Sequence, residues 1–183
     1  MKSKFARSVS FGEHAMIVYD NDRERDHLAI QFLKSAIGRN DFIVVFEGNK
    51  THFLTLVKKK RDLLAALKSR KMVLLNKKEI LEMQDPAADF STRLMELITL
   101  SKKSGHSLSF LGFIPPPTYN KVGLQHDIER ILENCDFNPP PTILCIYRKE
   151  GLASLKLSDL LLIYNSHDFM LLNTEILRRS KAQ

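Results

Sequence analysis

Short runs of β-branched and aromatic residues alternate five times with stretches of helical periodicity along this chain. Nearly continuous apolar strands separated by helices are typical of a parallel sheet that helices cover on both faces. The pattern therefore predicts an α/β three-layer sandwich with a mainly parallel central sheet of five or more strands. The apolar runs that predict the strands are residues 14–19, 42–46, 72–75, 108–113 and 142–147.

The stretches between the strands predict helices, because their apolar positions recur every three or four residues. Asp20-Asn21-Asp22 supplies an N-cap for the first helix, and Gly38 is expected to end it. The tail after the last helix contains a further apolar run at 169–172, which is interpreted as an edge strand. Further helices are predicted over about 50–69, 87–104, 118–135 and 153–165.

The length of 183 residues suits one domain with a sizeable core. One domain is predicted over 12–173, between an N-terminal tail at 1–11 and a basic C-terminal tail at 174–183. No apolar stretch reaches the ~20 residues of a membrane helix, and the basic N-terminus lacks the apolar segment of a secretory signal. A soluble cytoplasmic protein is therefore expected, in which Cys135 and Cys145 are buried free thiols.

Positive charge exceeds negative charge, with 28 Lys and Arg against 21 Asp and Glu and a net charge of +7. The densest part of this excess is the basic run formed by Lys58, Lys59, Lys60 and Arg61. A basic face is able to bind nucleic acid, an acidic protein or a phosphorylated ligand. A solvated helix face is the alternative interpretation, since no aromatic residues are interleaved with the basic run.

In open parallel sheets, ligands bind in the crevice beyond the carboxyl ends of the strands. The three prolines at 115–117 are expected to stiffen the loop after the fourth strand, so that Phe113 and Tyr119 form a wall of this crevice. The residues predicted to bind a ligand there are Tyr19, Asp20, Glu47, Gly48, Asn49, Asn76, Phe113, Pro115, Tyr119 and Arg148.

The known catalytic and metal-binding motifs are missing from the sequence. There is no HExxH, CxxC, GxSxG or GxGxxG pattern, and the six histidines are scattered. Gly48-Asn49-Lys50-Thr51 follows the second strand as a phosphate-binding loop would, but it lacks the leading glycine. We therefore predict no catalytic residues, no metal and no cofactor, and keep residual nucleotide binding by Lys50 and Thr51 as an alternative.

The segment 12–20, Gly-Glu-His-Ala-Met-Ile-Val-Tyr-Asp, resembles the opening of the MEDS domain, the methanogen/methylotroph DcmR-type sensory domain. His14 would begin the first strand of that family, and Cys145 and Tyr147 resemble its late strand. His167 stands where the family has a histidine after its last helix. The resemblance covers residues 12–173 and implies a fold similar to RecA/KaiC-like ATPases without a functional phosphate loop.

The resemblance and the missing motifs together favour a non-catalytic sensory or signalling domain. Its partner would be a small organic ligand or a signalling protein, and a homodimer is a further prediction because two-fold pairing is the commonest oligomer. Two alternatives stay open: a regulator that binds nucleic acid or an acidic partner through the basic run, and a residual nucleotide-binding RecA-like protein. No membrane partner is expected.

Overall fold

The computed structural model describes residues 2, 6, 9, 12–47, 49–76, 79–80, 82–114, 130–131, 139–172 and 175–178. Within these residues the chain forms the strands β1 (His14–Tyr19), β2 (Phe42–Glu47), β3 (Met72–Asn76), β4 (Leu108–Ile114), β5 (Thr142–Arg148), β6 (Phe169–Leu172) and β7 (Glu175–Arg178). They form one sheet with the order β3-β2-β4-β5-β1-β6-β7. Neighbouring strands are parallel, apart from the antiparallel pair β6 and β7. The mainly parallel sheet is therefore confirmed.

Helices cover both faces of the sheet and give the predicted three layers. The first three pack against one face, where they form the first core. The last three pack against the other face, where they form the second core. The helices with described bounds are α1 (Asp22–Gly38), α2 (Lys50–Lys58), α3 (Arg61–Lys68), α4 (Pro86–Ser104), α5 (Lys149–Ala153) and α6 (Leu157–Asn165).

Strand β1 divides its side chains between the two cores. Ala15, Ile17 and Tyr19 belong to the first core, whereas Met16 and Val18 belong to the second. Successive strand residues point to opposite faces of a sheet, so a strand that is covered on both sides needs apolar residues at nearly every position. This requirement is why an uninterrupted apolar run predicted the strand correctly.

Two of the predicted helices are each divided in the structure. The helix expected over 50–69 ends at Lys58, and Lys60 adopts an extended conformation before α3 begins. The basic run contributes no apolar side chain that would hold a continuous helix against the sheet. The helix expected over 153–165 is likewise replaced by α5 and α6, with Ser154 as the C-cap of α5.

Gly38 is the last residue of α1 rather than its cap. Arg39 takes the C-cap position with ordinary right-handed backbone angles. The left-handed conformation that turns the chain belongs to Asn40, whose φ is 64°. Asparagine tolerates this region better than most residues, so the turn needs no glycine. Of the helix predicted over 118–135, only residues 130 and 131 belong to the described part of the chain, and both are helical.

Both predicted tails contribute to the domain. Ala6 and Val9 are buried in the first core, so the N-terminal segment is partly packed rather than an extended tail. Glu175–Arg178 forms β7, which pairs with β6 and extends the domain beyond residue 173. Among the residues that the structure describes, no helix has the length and hydrophobicity that crossing a membrane requires.

Candidate functional site

The carboxyl end of the sheet brings several predicted site residues together in pairs. Tyr19 at the end of β1 lies opposite Arg148 at the end of β5, and Glu47 lies opposite Asn76. After β1 the chain enters α1 on the first-core face, whereas after β5 it enters α5 on the second-core face. Adjacent strands that leave to opposite faces open a crevice between them. The strand order places such a point between the ends of β1 and β5, and the crevice expected from the sequence stays a prediction.

Arg25 of α1 lies among these residues, although no sequence motif points to it. Its guanidinium pairs with the Asp26 carboxylate at 2.9 Å and contacts the His52 ring. Its Cζ atom lies 6.0 Å from the centre of the Phe113 ring, within the range of a cation–π contact. His52 Nε2 is 2.9 Å from Asp26 Oδ1, so α1 and α2 share one polar cluster beside β4.

Burial and neighbouring charges shift the pKa values of two groups at the end of β1. Burial raises the pKa of the Tyr19 hydroxyl, and the opposing effects of Arg25 and Arg148 are smaller. Burial also acts to raise the pKa of Asp20, but Lys2 and Lys149 outweigh it and leave this pKa lowered. Tyr19 is thus held as a neutral phenol, and Asp20 as a carboxylate.

Replacing Tyr19 with phenylalanine is expected to reduce the loss of stability at alkaline pH. Because the folded-state pKa is raised, the unfolded chain ionises first, and the stabilising contribution is lost as pH rises through the folded pKa. The free energy of unfolding of the wild-type protein minus that of Tyr19→Phe should be constant below about pH 9. This difference should fall toward about pH 11, because only the wild-type protein loses the contribution of the phenol. Urea unfolding measures this, and a constant difference across the whole range contradicts the prediction.

The polar side chains at the ends of β2 and β3 form hydrogen bonds with residues close to them in the sequence. Glu47 Oε1 accepts a hydrogen bond from the Asn49 backbone N–H at 2.9 Å, and Asn49 Oδ1 caps α2 by accepting from the His52 N–H at 3.0 Å. Asn76 donates to Glu79 at 2.7 Å. The Asn49 side chain therefore already binds one of the backbone N–H groups at the N-terminus of α2, which a phosphate would need as a donor. Of the other predicted binding residues, Gly48, Pro115 and Tyr119 lie outside the described part of the chain.

The turn after β1 is also poorly suited to phosphate. It consists of Asp20 and Asn21, and Asn21 accepts a hydrogen bond from the Glu24 N–H at the start of α1. Asp22 and Glu24 place carboxylates in the first turn of that helix. Carboxylates repel phosphate at the helix end that would otherwise attract it. The nucleotide-binding alternative therefore gains no support from this turn.

The basic run lies at the junction between α2 and α3 rather than along one helix face. Lys58, Lys59 and Arg61 are exposed, while Lys60 is half-buried at the N-terminus of α3. Asp62, the next residue, pairs with Lys34 at 3.8 Å across to α1. The basic run faces solvent, as both interpretations of it require. Binding of nucleic acid or of an acidic partner stays a prediction.

The four residues that carry the family resemblance meet on the second-core face. His14 Nε2 lies 3.5 Å from Cys145 Sγ, and the His14 and His167 ring centroids are 4.2 Å apart. The Tyr147 ring meets His167 edge-on at 5.8 Å. His14 is far from the other three residues in the sequence, and no known motif has this spacing. The strand order β5-β1-β6 is what brings them together.

An apolar cavity of about 460 Å³ lies on the same face of the sheet, between β1, β6, α5 and α6. Two polar side chains, those of Lys149 and Tyr164, are part of its wall. We call it the α6 cavity, and its lining residues are Met16, Val18, Lys149, Leu152, Ala153, Leu160, Leu161, Ile163, Tyr164 and Met170.

None of the predicted ligand-binding residues that the structure describes lines the α6 cavity. Val18 and Lys149, which do line it, are the chain neighbours of Tyr19 and Arg148. Phe113, expected to line the crevice, packs in the first core on the opposite face of the sheet. The alternation of side chains along β1 explains this difference, because Tyr19 points to one face and Val18 to the other.

No family model matches this sequence, and no curated protein matches it. Among solved structures, the flagellar accessory protein FlaH from Methanocaldococcus jannaschii is similar, with a TM-score of 0.52 and 11% identity over 92% of this chain and 76% of that chain. A protein from Pyrococcus horikoshii OT3 has a TM-score of 0.56 and 9% identity over 97% and 90% of the two chains. The fold is RecA-like. At identities this low, the similarity shows only that the folds are alike.

Proposed function

We propose that this chain is a non-catalytic sensory domain that binds a small apolar organic compound in the α6 cavity. The cavity itself is the observation that carries the proposal. Its volume of about 460 Å³ falls within the range of about 300–1,000 Å³ that is usual for ligand pockets. A cavity of about 150 Å³ already holds benzene, so this one has room for a larger compound.

The lining indicates what kind of compound would bind. Eight of the ten lining side chains are apolar, which favours a ligand with a mainly hydrocarbon body. The Lys149 ammonium already pairs with Asp20 at 3.4 Å, so a highly charged ligand would have to displace that carboxylate. A polyphosphate finds neither several cations nor a row of backbone N–H groups here. The proposed ligand is therefore neutral, or carries one polar group near Tyr164 or Lys149.

The outer surface of α6 supports a role in signalling. Leu157, Leu161 and Leu162 are exposed, and Leu161 also lines the cavity. A ligand that contacts Leu161 from inside would change how this side chain is presented on the surface. Exposed apolar side chains that lie together mark surfaces for partner proteins. The resemblance to the MEDS sensory family is consistent with this proposal.

A thermal-shift screen with small alcohols, ketones and aromatic compounds tests the proposal. A compound present at 100 times its dissociation constant should stabilise the protein by about 2.7 kcal/mol. In the Ala153→Phe protein, a ring placed at the rim of the cavity should abolish this stabilisation. Ala153 is exposed, so the variant should fold normally.

Ala65→Phe is the matched control, because Ala65 is an exposed helix residue on α3 and lines no part of the α6 cavity. It should respond to the same compound as the wild-type protein does. Magnesium-ATP is included as a second probe and should give no shift. The proposal fails if no compound shifts the melting temperature, or if Ala153→Phe and Ala65→Phe respond equally.

A further inference from the structure

We propose that His14, Cys145 and His167 form a binding site for a zinc ion. Two imidazoles and one thiolate are ligands that zinc prefers, and the three side chains are 6%, 2% and 1% exposed. Their candidate ligand atoms all lie within 4.8 Å of one another. The site is separate from the proposed ligand cavity, and its test does not depend on that proposal.

The distances fit tetrahedral coordination. Zinc–nitrogen bonds of about 2.0–2.1 Å and zinc–sulfur bonds of about 2.3 Å place neighbouring N and S ligands about 3.6 Å apart in a tetrahedron. His14 Nε2 and Cys145 Sγ are 3.5 Å apart, which matches this separation. The upper limit of 4.8 Å for the remaining pairs requires their ligand atoms to approach by about 1.5 Å at most, which side-chain rotation provides.

The orientation of His167 also fits a metal ligand. Its Nδ1 lies 2.7 Å from the Ile163 carbonyl oxygen, so Nδ1–H donates to that oxygen and Nε2 carries the lone pair. Histidines that bind metals almost always donate their other ring N–H to a carbonyl or carboxylate in this way. Ile163 is held on α6, so the helix fixes the ring through its own backbone.

Neighbouring groups hold the two histidines in place. The backbone N–H of His14 donates to Asp168 Oδ2 at 3.1 Å, and the Asp168 N–H donates to the His14 carbonyl at 2.8 Å. These bonds tie the start of β1 to the segment that carries His167. The Tyr147 ring supplies an apolar wall beside His167. With three protein ligands, the fourth position of a tetrahedral zinc site would be taken by a water molecule.

The three ligands come from different parts of the chain, which gives the site a structural consequence. His14 begins β1, Cys145 lies in β5, and His167 follows α6. A bound zinc ion would join the two strands to the segment before β6. Because such a site does not exist in the unfolded chain, the binding free energy of the metal adds to the stability of the fold.

Cobalt is the probe, because it replaces zinc and reports its ligands by absorption. Protein without a histidine tag is unfolded, then refolded with Co²⁺, and its metal content is measured by mass spectrometry. We expect one metal per chain, visible bands of tetrahedral intensity, and a near-ultraviolet band from thiolate-to-cobalt charge transfer. Zn²⁺ should displace the cobalt and remove both bands, and zinc-loaded protein should melt at a higher temperature than protein refolded with a chelator.

The variants Cys145→Ser and His167→Gln each remove one ligand. Changes to outer-shell partners already cost metal sites about 10- to 100-fold in affinity, so loss of a direct ligand should exceed that. Cys135→Ser and His106→Asn remove a thiol and an imidazole that are not among the three ligands, and both should bind cobalt as the wild-type protein does.

A wild-type protein that refolds without retaining cobalt or zinc overturns the proposal. So does a bound cobalt ion that lacks the charge-transfer band, or a Cys145→Ser protein that binds with wild-type affinity. If Cys145→Ser does not fold, the spectrum of the wild-type protein and the His167→Gln variant still decide the question.

Discussion

Replacing Phe46 with alanine is expected to lower the free energy of unfolding by about 3–5 kcal/mol, the usual cost of deleting a buried aromatic ring. Phe46 is 1% exposed on β2, and its ring lies 5.4 Å from that of Phe90 and 6.3 Å from that of Phe110. These three rings join α4 to β2 and β4 in the second core. The alanine would leave a cavity among them that the strands cannot close, because both are fixed within the sheet.

Urea unfolding of the wild-type and Phe46→Ala proteins measures this loss, with an unchanged dependence on urea if the unfolded state is unaffected. Leu157→Ala is the control, since it also shortens an apolar side chain but at a position that is 71% exposed. It should change the free energy of unfolding by less than about 0.5 kcal/mol. Similar losses in the two variants would contradict the assignment of the Phe46 cluster to the core.

The strands were the most predictable part of this fold. Each parallel strand is covered on both faces, so nearly all positions of a run such as Phe42–Phe46 must be apolar, and this leaves a clear signal. The helix boundaries were harder to predict. The break at Lys59 and Lys60 depends on how α2 and α3 each reach the sheet, and the helical spacing of apolar residues continues across it.

The candidate site was predictable only in part. The carboxyl ends of parallel strands share one edge, so Tyr19 and Arg148 were correctly expected at the same end of the sheet. The sequence does not give the order of strands, and only that order places β1 between β5 and β6. His14 and Cys145 are 131 positions apart, so their contact and the α6 cavity beside them depend on tertiary structure alone.

Replacing Asp41 with alanine is expected to lower the free energy of unfolding by about 3 kcal/mol, the lower end of the range for breaking a buried ion pair. Asp41 lies just before β2, and its carboxylate is 3% exposed. Its Oδ2 accepts hydrogen bonds from Ser109 Oγ at 2.6 Å and from Arg39 Nε at 2.9 Å. The Arg39 side chain is 29% exposed, so water partly screens the charge that would be left behind.

The hydroxyl of Ser109 explains why the loss should still be large. Ser109 is fully buried on β4 and also accepts a hydrogen bond from an Arg39 terminal nitrogen at 3.0 Å. Without Asp41, this hydroxyl loses the acceptor for its own proton, and a buried donor left without an acceptor costs about 1–3 kcal/mol. Asp41→Asn keeps an acceptor oxygen at the same place, so it should lose less stability than Asp41→Ala.

The matched comparison is Asp62→Ala, which removes a carboxylate that is 42% exposed and lies 3.8 Å from Lys34. An exposed pair of this kind contributes about 0–1 kcal/mol, and salt screens it. Unfolding in low and high salt should therefore reduce the small effect of Asp62→Ala and leave most of the effect of Asp41→Ala. Equal losses in the two variants, or a loss at Asp41 that disappears in high salt, would mean that the Asp41–Ser109–Arg39 contacts do not stabilise the junction between α1 and the sheet.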